Sequence, residues 1–209
     1  VKRCGPLPCT TWLVACTVAI GCATSSVRTG QRLFAGCLHA VDDAATLQRG
    51  LFVCEGDRDP EPFGGNGRAC GDCHVPGDDF GISVGLIASL PDDHPFFFPG
   101  LDEDQELLRA HGLVHVVAPG GLDELRQTPK LVHLQTLCDD DGNCDALGLL
   151  GDRVRNLCAF SVQAVANHMA KTVARVPGRD FRTPTQDECE ALVAYMLSDL
   201  VADQDERTR

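Results

Sequence analysis

The chain has 209 residues, 44% of them hydrophobic, which is enough for one domain with a real core and short for two. Acidic residues outnumber basic ones 30 to 18, for a formal charge of −12. A surface of that sign repels nucleic acid and anionic lipid headgroups, and it favours a basic partner with salt-sensitive association.

The N-terminus opens on Val1-Lys2-Arg3, followed by an apolar run over residues 12–20. That run is too short to span a bilayer as an ordinary helix and suits the apolar region of a signal peptide. It closes on Val18-Ala19-Ile20-Gly21-Cys22, which resembles a bacterial lipobox, where the leader is cut before the cysteine and the thiol is lipidated. An ordinary secretory signal cut a few residues later is the alternative. The expectation is a leader over 1–22, an extracytoplasmic (periplasmic) chain and a membrane anchor through Cys22. Losing Lys2 and Arg3 with the leader would deepen the charge to −14.

Residues 23–32 are polar at first and read as a tether, with the domain proper expected over 33–202. Helical periodicity runs over 33–52 and is followed by a turn-rich segment with Gly56, Pro60, Pro62, Gly64, Gly65 and Gly67. A short helix is expected over 102–111. Residues 114–121 are apolar and end in Pro-Gly-Gly, and a longer helix is expected over 153–174. The last helix has the clearest start signal: Thr185 with Glu188 three residues on is a capping box. Residues 203–209 read as a frayed tail. Strand signals are weak, so the expected class is mostly α.

Cys70-Gly71-Asp72-Cys73-His74 is the motif that carries chemistry. Two thiols at this spacing reach the two vinyl groups on one haem edge, and the adjacent imidazole is then held at the iron. The string is the attachment signal for one covalent haem c. A thioredoxin-like thiol pair expects no His in the fifth place, and half a zinc site expects a second Cys or His pair that does not follow.

Around this motif the string from Phe63 to His74 resembles the haem segment of the cytochrome c superfamily, in the branch of di-haem cytochrome c peroxidases and their mono-haem relatives. Arg126-Gln-Thr-Pro-Lys-Leu131 resembles that branch's Arg-x-Thr-Pro-x-Leu segment, and Ala164-Val-Ala-Asn-His168 falls where the branch carries its distal ligand. Residues 180–195 resemble its final helix. The resemblance implies a cytochrome-c-like haem domain with long loops. The peroxidases carry two haem motifs and this chain has one, and a cysteine loop at 138–144 stands where an aromatic-rich stretch is expected. Both departures favour an electron carrier over an enzyme.

The iron's second ligand decides the chemistry, since Met raises the potential, His lowers it and an open site permits catalysis. His168 is the favoured ligand, with Met169 as the alternative. Both cannot face the iron, being about 100° apart on a helix. Met196 is read as core, and His115 and His133 are spare candidates. Arg126 is a candidate donor to a haem propionate.

Twelve cysteines in an exported chain suggest disulfides. Setting aside the leader, Cys22 and the haem pair leaves Cys37, Cys54, Cys138, Cys144, Cys158 and Cys189. Six allow 15 connectivities; the expected pairs are 37–54, 138–144 and 158–189. The functional expectation is one-electron transfer to a partner with a basic docking face. A peroxidase-like haem enzyme with an open distal site, and a haem-bearing accessory or sensor lipoprotein, are the alternatives.

Overall fold

The computed structural model describes residues 25–37, 62–118, 122–144, 155–198 and 201. The expected leader over 1–22 with Cys22, Cys54 and the expected tail at 203–209 lie outside them. Among the described residues no helix is long and apolar enough to cross a membrane.

Six helices occur along the described chain: α1 over 25–35, α2 (Val84–Ile87), α3 (Gln105–His111), α4 (Leu134–Leu137), α5 (Leu157–His168) and α6 (Gln186–Met196). Between α3 and α4 stand two strands, β1 (Leu113–Ala118) and β2 (Leu122–Gln127), paired antiparallel with Val114 opposite Arg126 and Val116 opposite Glu124.

The expected mostly α, cytochrome-c-like class is therefore corrected. The described residues are 46% helical and include a sheet, so the architecture is mixed. The reason lies in the hairpin. β1 is rich in β-branched residues and alternates, turning Val114 and Val116 into the core while His115 and Val117 stay more exposed. β2, Leu-Asp-Glu-Leu-Arg-Gln, carries little strand propensity of its own and takes its form from the ladder with β1.

The stretch read as a tether also differs, since residues 25–35 are helical with Gln31, Phe34 and Ala35 buried. Polar composition hides this because only one face of α1 is apolar. α1 packs on α6 at Gly30, where an added Cβ would stand 1.9 Å from the Ala191 carbonyl oxygen. Beside this crossing Phe34 meets Tyr195 edge-on at 5.2 Å and Phe80 at 6.2 Å. These rings, with Leu192, Met196, Val165 and Phe181, form the larger apolar cluster. Each fully buried aromatic side chain there contributes on the order of 1.5–3 kcal/mol.

A second cluster gathers Ile87, Leu90, Phe96, Phe97, Leu108, Val114 and Val116. Phe96 and Phe97 are thus core residues. Cys70 packs against the first cluster and Cys73 against the second, so the motif lies where the two meet.

α5 starts at Asn156, whose side chain accepts from the Cys158 and Ala159 amides. It ends at His168, short of the expected end at 174. The loop ahead of the Cys-x-x-Cys-His motif binds the carbonyls at and just past this end: Asn66 Nδ2 donates to the His168 and Ala170 oxygens at 3.1 Å, and the Asn66 amide donates to the Met169 oxygen at 2.9 Å. Disulfides join Cys138 to Cys144, and Cys158 of α5 to Cys189 of α6, as expected. Cys37 is also disulfide-bonded, and its expected partner Cys54 lies outside the described residues.

α6 starts on the expected capping box, with Thr185 accepting from the Glu188 amide and Glu188 accepting from the Thr185 amide. Arg182 adds a two-pronged bond to Glu188 at 2.7 and 2.8 Å, and these bonds hold the Glu188 carboxyl below its ordinary range. A carboxyl lowered by folding contributes stability above its unfolded pKa, and that contribution is lost as pH falls through the folded value. Glu188→Gln is expected to cost about 0.5–1 kcal/mol at pH 7. In urea melts run from pH 7 downward, the gap from the parent protein should close in acid; a gap independent of pH contradicts the assignment.

Candidate functional site

The motif folds as a tight 3-10 turn over Cys70–Asp72. The Cys73 and His74 amides both donate to the Cys70 carbonyl, at 3.1 and 2.9 Å. The buried Asp72 carboxylate reaches back to accept from the Ala69 amide at 2.7 Å, which closes the turn. Asp72 is thus structural in the motif, and it keeps the two thiols on one short arc of chain.

Cys70 and Cys73 are the free cysteines among the described residues. Burial pushes both thiols up to about 12, against which the Arg68 charge beside Cys73 does little. A redox or nucleophilic cysteine needs the opposite shift, toward thiolate. The pair is therefore ill suited to thioredoxin-like exchange, despite its spacing.

His74 is oriented by a strained loop. Asp79 and Phe80 are both left-handed, at φ 57° and 54°, an uncommon state for a bulky aromatic residue. The loop is locked by the Val75 amide donating to the Gly81 carbonyl at 2.8 Å and the Phe80 amide donating to the Val75 carbonyl at 3.0 Å. Its product is the Phe80 carbonyl standing 2.8 Å from His74 Nδ1. With Nδ1–H donating there, the ring's lone pair sits on Nε2, the tautomer a metal-binding imidazole requires, and the Pro129 carbonyl also bonds to the ring. Burial pulls His74 down to about 4, outweighing the backbone bonds to Phe80 and Pro129, so the ring is neutral at physiological pH.

The cleft comprises two neighbouring pockets that share Cys73, His74, Phe160, Ala164 and His168 in their walls. Val114, Val116, Arg126 and Pro129 line the first. Phe34, Cys70, Leu131, Met169 and Met196 line the second. The walls are mostly apolar, with two imidazoles and two thiols converging on them, as expected of a site for a large flat ligand.

His168 is half-buried at the C-terminal end of α5 and lines the same cleft as His74. Its Nδ1 lies 3.9 Å from Glu103 Oε1. Glu103 is buried, and Arg68 grips it in a bidentate pair at 2.9 and 2.7 Å. Burial alone would raise the Glu103 carboxyl; His168 and Arg68 overcome it and hold the group down at about 2. Arg68 also donates to the Phe96 carbonyl at 2.6 Å and the Pro95 carbonyl at 2.9 Å, so the guanidinium is fully engaged.

The predicted site residues thus divide. Cys70, Cys73, His74, His168 and Met169 come together on the cleft. Arg126 lies at its rim on β2, its guanidinium 2.6 Å from Glu124. Met196, read as core, is buried and also lines the second pocket. His115 and His133 do not line the cleft: His115 pairs with Asp102 and Asp123, and His133 is exposed before α4. Among the described residues no cluster of three or more His, Cys, Asp or Glu is gathered for a bare metal ion.

Asn66, Arg68, Phe80 and Glu103 are contributions that sequence reasoning misses. Asn66 and Arg68 belong to the string before the motif, and that position is a readable signal. Glu103 lies within the acidic run 102–106, where nothing local separates it from its solvated neighbours.

The donor set and the cleft fit a covalently held haem: two unpaired thiols, an imidazole oriented through Nδ1, and apolar walls. No protein-family model, curated protein or solved structure matches the chain.

Proposed function

We propose that the chain is an exported c-type cytochrome that carries single electrons on one haem. The observation that supports this most is the joint presence of Cys70, Cys73, His74 and His168 on one apolar cleft, in a chain whose other described cysteines are disulfide-bonded. When bound, haem c supplies a one-electron ferric–ferrous couple.

The residues divide the work. Cys70 and Cys73 retain the group covalently. His74 would hold the iron through Nε2, with the Phe80 carbonyl fixing its tautomer. His168 would supply the second donor, with Met169 the competing one on the same cleft. Phe34, Val114, Val116, Phe160 and Leu131 exclude water, which lowers the local dielectric and tunes the potential. Arg126 is positioned at the rim to pair with a propionate, sharing its guanidinium with Glu124.

Export and a lipid anchor at Cys22 complete the reading. The disulfides are compatible with an oxidising compartment. The acidic surface suits a redox partner with a basic docking face. A peroxidase-like enzyme would need an open distal position, and His168 beside His74 argues against one.

His168→Ala, expressed with its leader in a host that matures c-type cytochromes, tests the ligand set. The ferric EPR spectrum should change from low spin to predominantly high spin, with covalent haem retained. An unaltered low-spin spectrum overturns His168 as the ligand.

A further inference from the structure

The two imidazoles of the cleft are held in unequal ways. His74 Nδ1 faces a neutral carbonyl, that of Phe80, at 2.8 Å. His168 Nδ1 faces a carboxylate, that of Glu103, whose side chain is wholly excluded from solvent. That carboxylate is itself fixed by Arg68 through two bonds at 2.9 and 2.7 Å. The backbone of His168 is held by the same segment, since Asn66 Nδ2 and Arg68 Nη1 both donate to its carbonyl, at 3.1 and 3.4 Å. Ring and backbone of one histidine are therefore tied to the stretch of chain directly before Cys70.

We propose that Glu103, backed by Arg68, is a positioning residue for His168: it engages Nδ1, leaves Nε2 for the cleft, and makes His168 the more basic of the two imidazoles. The proposal rests on the reading of His168 as an axial ligand. Three observations carry it. A buried ionic pair is costly to desolvate and is retained where it orients something. The other imidazole on the cleft, His74, has a carbonyl and not a carboxylate at its Nδ1. A carboxylate on the far nitrogen of a ligating His fixes its orientation and raises its basicity. At 3.9 Å the contact is longer than a hydrogen bond, and such contacts tighten when a site is filled.

A more basic imidazole favours the ferric over the ferrous state. Removing the carboxylate should therefore raise the reduction potential and loosen the ring against competing ligands.

The test uses the full chain matured with haem. Glu103→Gln, Glu103→Asp and the double variant Arg68→Met/Glu103→Met are compared with the parent by redox titration, ferric EPR and titration with free imidazole. The double variant leaves no orphaned charge, and far-ultraviolet circular dichroism checks its folding because it also frees the Pro95 and Phe96 carbonyls. Glu103→Gln and the double variant should shift the ferric–ferrous equilibrium about tenfold toward ferrous, which is about 59 mV for one electron. Free imidazole should bind each at least tenfold more tightly than the parent, with Glu103→Asp recovering part of both effects. Potentials and imidazole affinities within twofold of the parent overturn the proposal, provided that His168→Ala removes the low-spin signal. A low-spin signal that survives His168→Ala instead overturns the ligand assignment beneath it.

Discussion

Replacing Cys70 and Cys73 together with alanine is expected to abolish covalent haem. Haem staining after denaturing electrophoresis should fall from one haem per chain to background. The structure gives a reason to expect so large an effect. The two thiols are the unpaired cysteines among the described residues, they sit on one 3-10 turn, and they line the cleft that His74 and His168 share. The other cysteines supply the control. Removing Cys158 and Cys189 together should leave haem staining intact and lower stability by about 2–4 kcal/mol, through the loosened unfolded chain. Staining that persists without Cys70 and Cys73, or that is lost equally without Cys158 and Cys189, contradicts the assignment.

The largest effect on stability should come from a single added methyl group. Gly30 on α1 stands where that helix crosses α6. A Cβ there would lie 1.9 Å from the Ala191 oxygen, 2.6 Å from the Ala191 carbonyl carbon and 2.7 Å from Tyr195 Cβ. Two of these atoms are backbone, so no rotamer change relieves the clash and the helices must move apart. Separation would also open the contact of Phe34 with Tyr195, which seals one end of the cleft. Overpacking of this kind costs about 3 kcal/mol or more. Helix propensity works the other way by only about 1 kcal/mol, so the clash wins. In a chain of this size Gly30→Ala should lower Tm by roughly 6–12 °C. Gly85 in α2 has open space around its Cβ position, and Gly85→Ala should leave Tm unchanged or raise it slightly. Equal effects at the two sites would show that the crossing is not close-packed.

Much of the site is legible in the amino-acid sequence alone. The Cys-x-x-Cys-His string is conspicuous without tertiary context, because its spacing alone marks it. His168 can be placed by its order after the motif, and the pairings 138–144 and 158–189 match the disulfides found. What escapes is decided by contacts distant in sequence. Glu103 looks like any member of an acidic run until Arg68, 35 residues earlier, reaches it. The composition after His168 permits helix as far as 174; α5 stops at His168 because Asn66, 102 residues earlier, takes its carbonyl. β2 is polar and weakly inclined to extend, and only its partner strand makes it one. Residues 25–35 resemble a tether because a helix with one buried face reads as polar in composition. In each case local propensity is overruled by a tertiary partner.

The left-handed loop at Asp79 and Phe80 follows the same logic. Nothing in Val-Pro-Gly-Asp-Asp-Phe-Gly demands that a phenylalanine adopt φ 54°. The strain is accepted where it aims the Phe80 carbonyl at His74 Nδ1, a bond that orients the ring.

The central claim is that His74 and His168 both hold an iron that Cys70 and Cys73 keep in place. The most direct measurement is the ferric EPR spectrum of the full chain, exported and matured, taken beside its haem stain on a denaturing gel. The expected result is covalent haem at one per chain with a low-spin signal from two nitrogen ligands. A chain that exports and folds without covalent haem, with Cys70 and Cys73 joined as a disulfide, would contradict it.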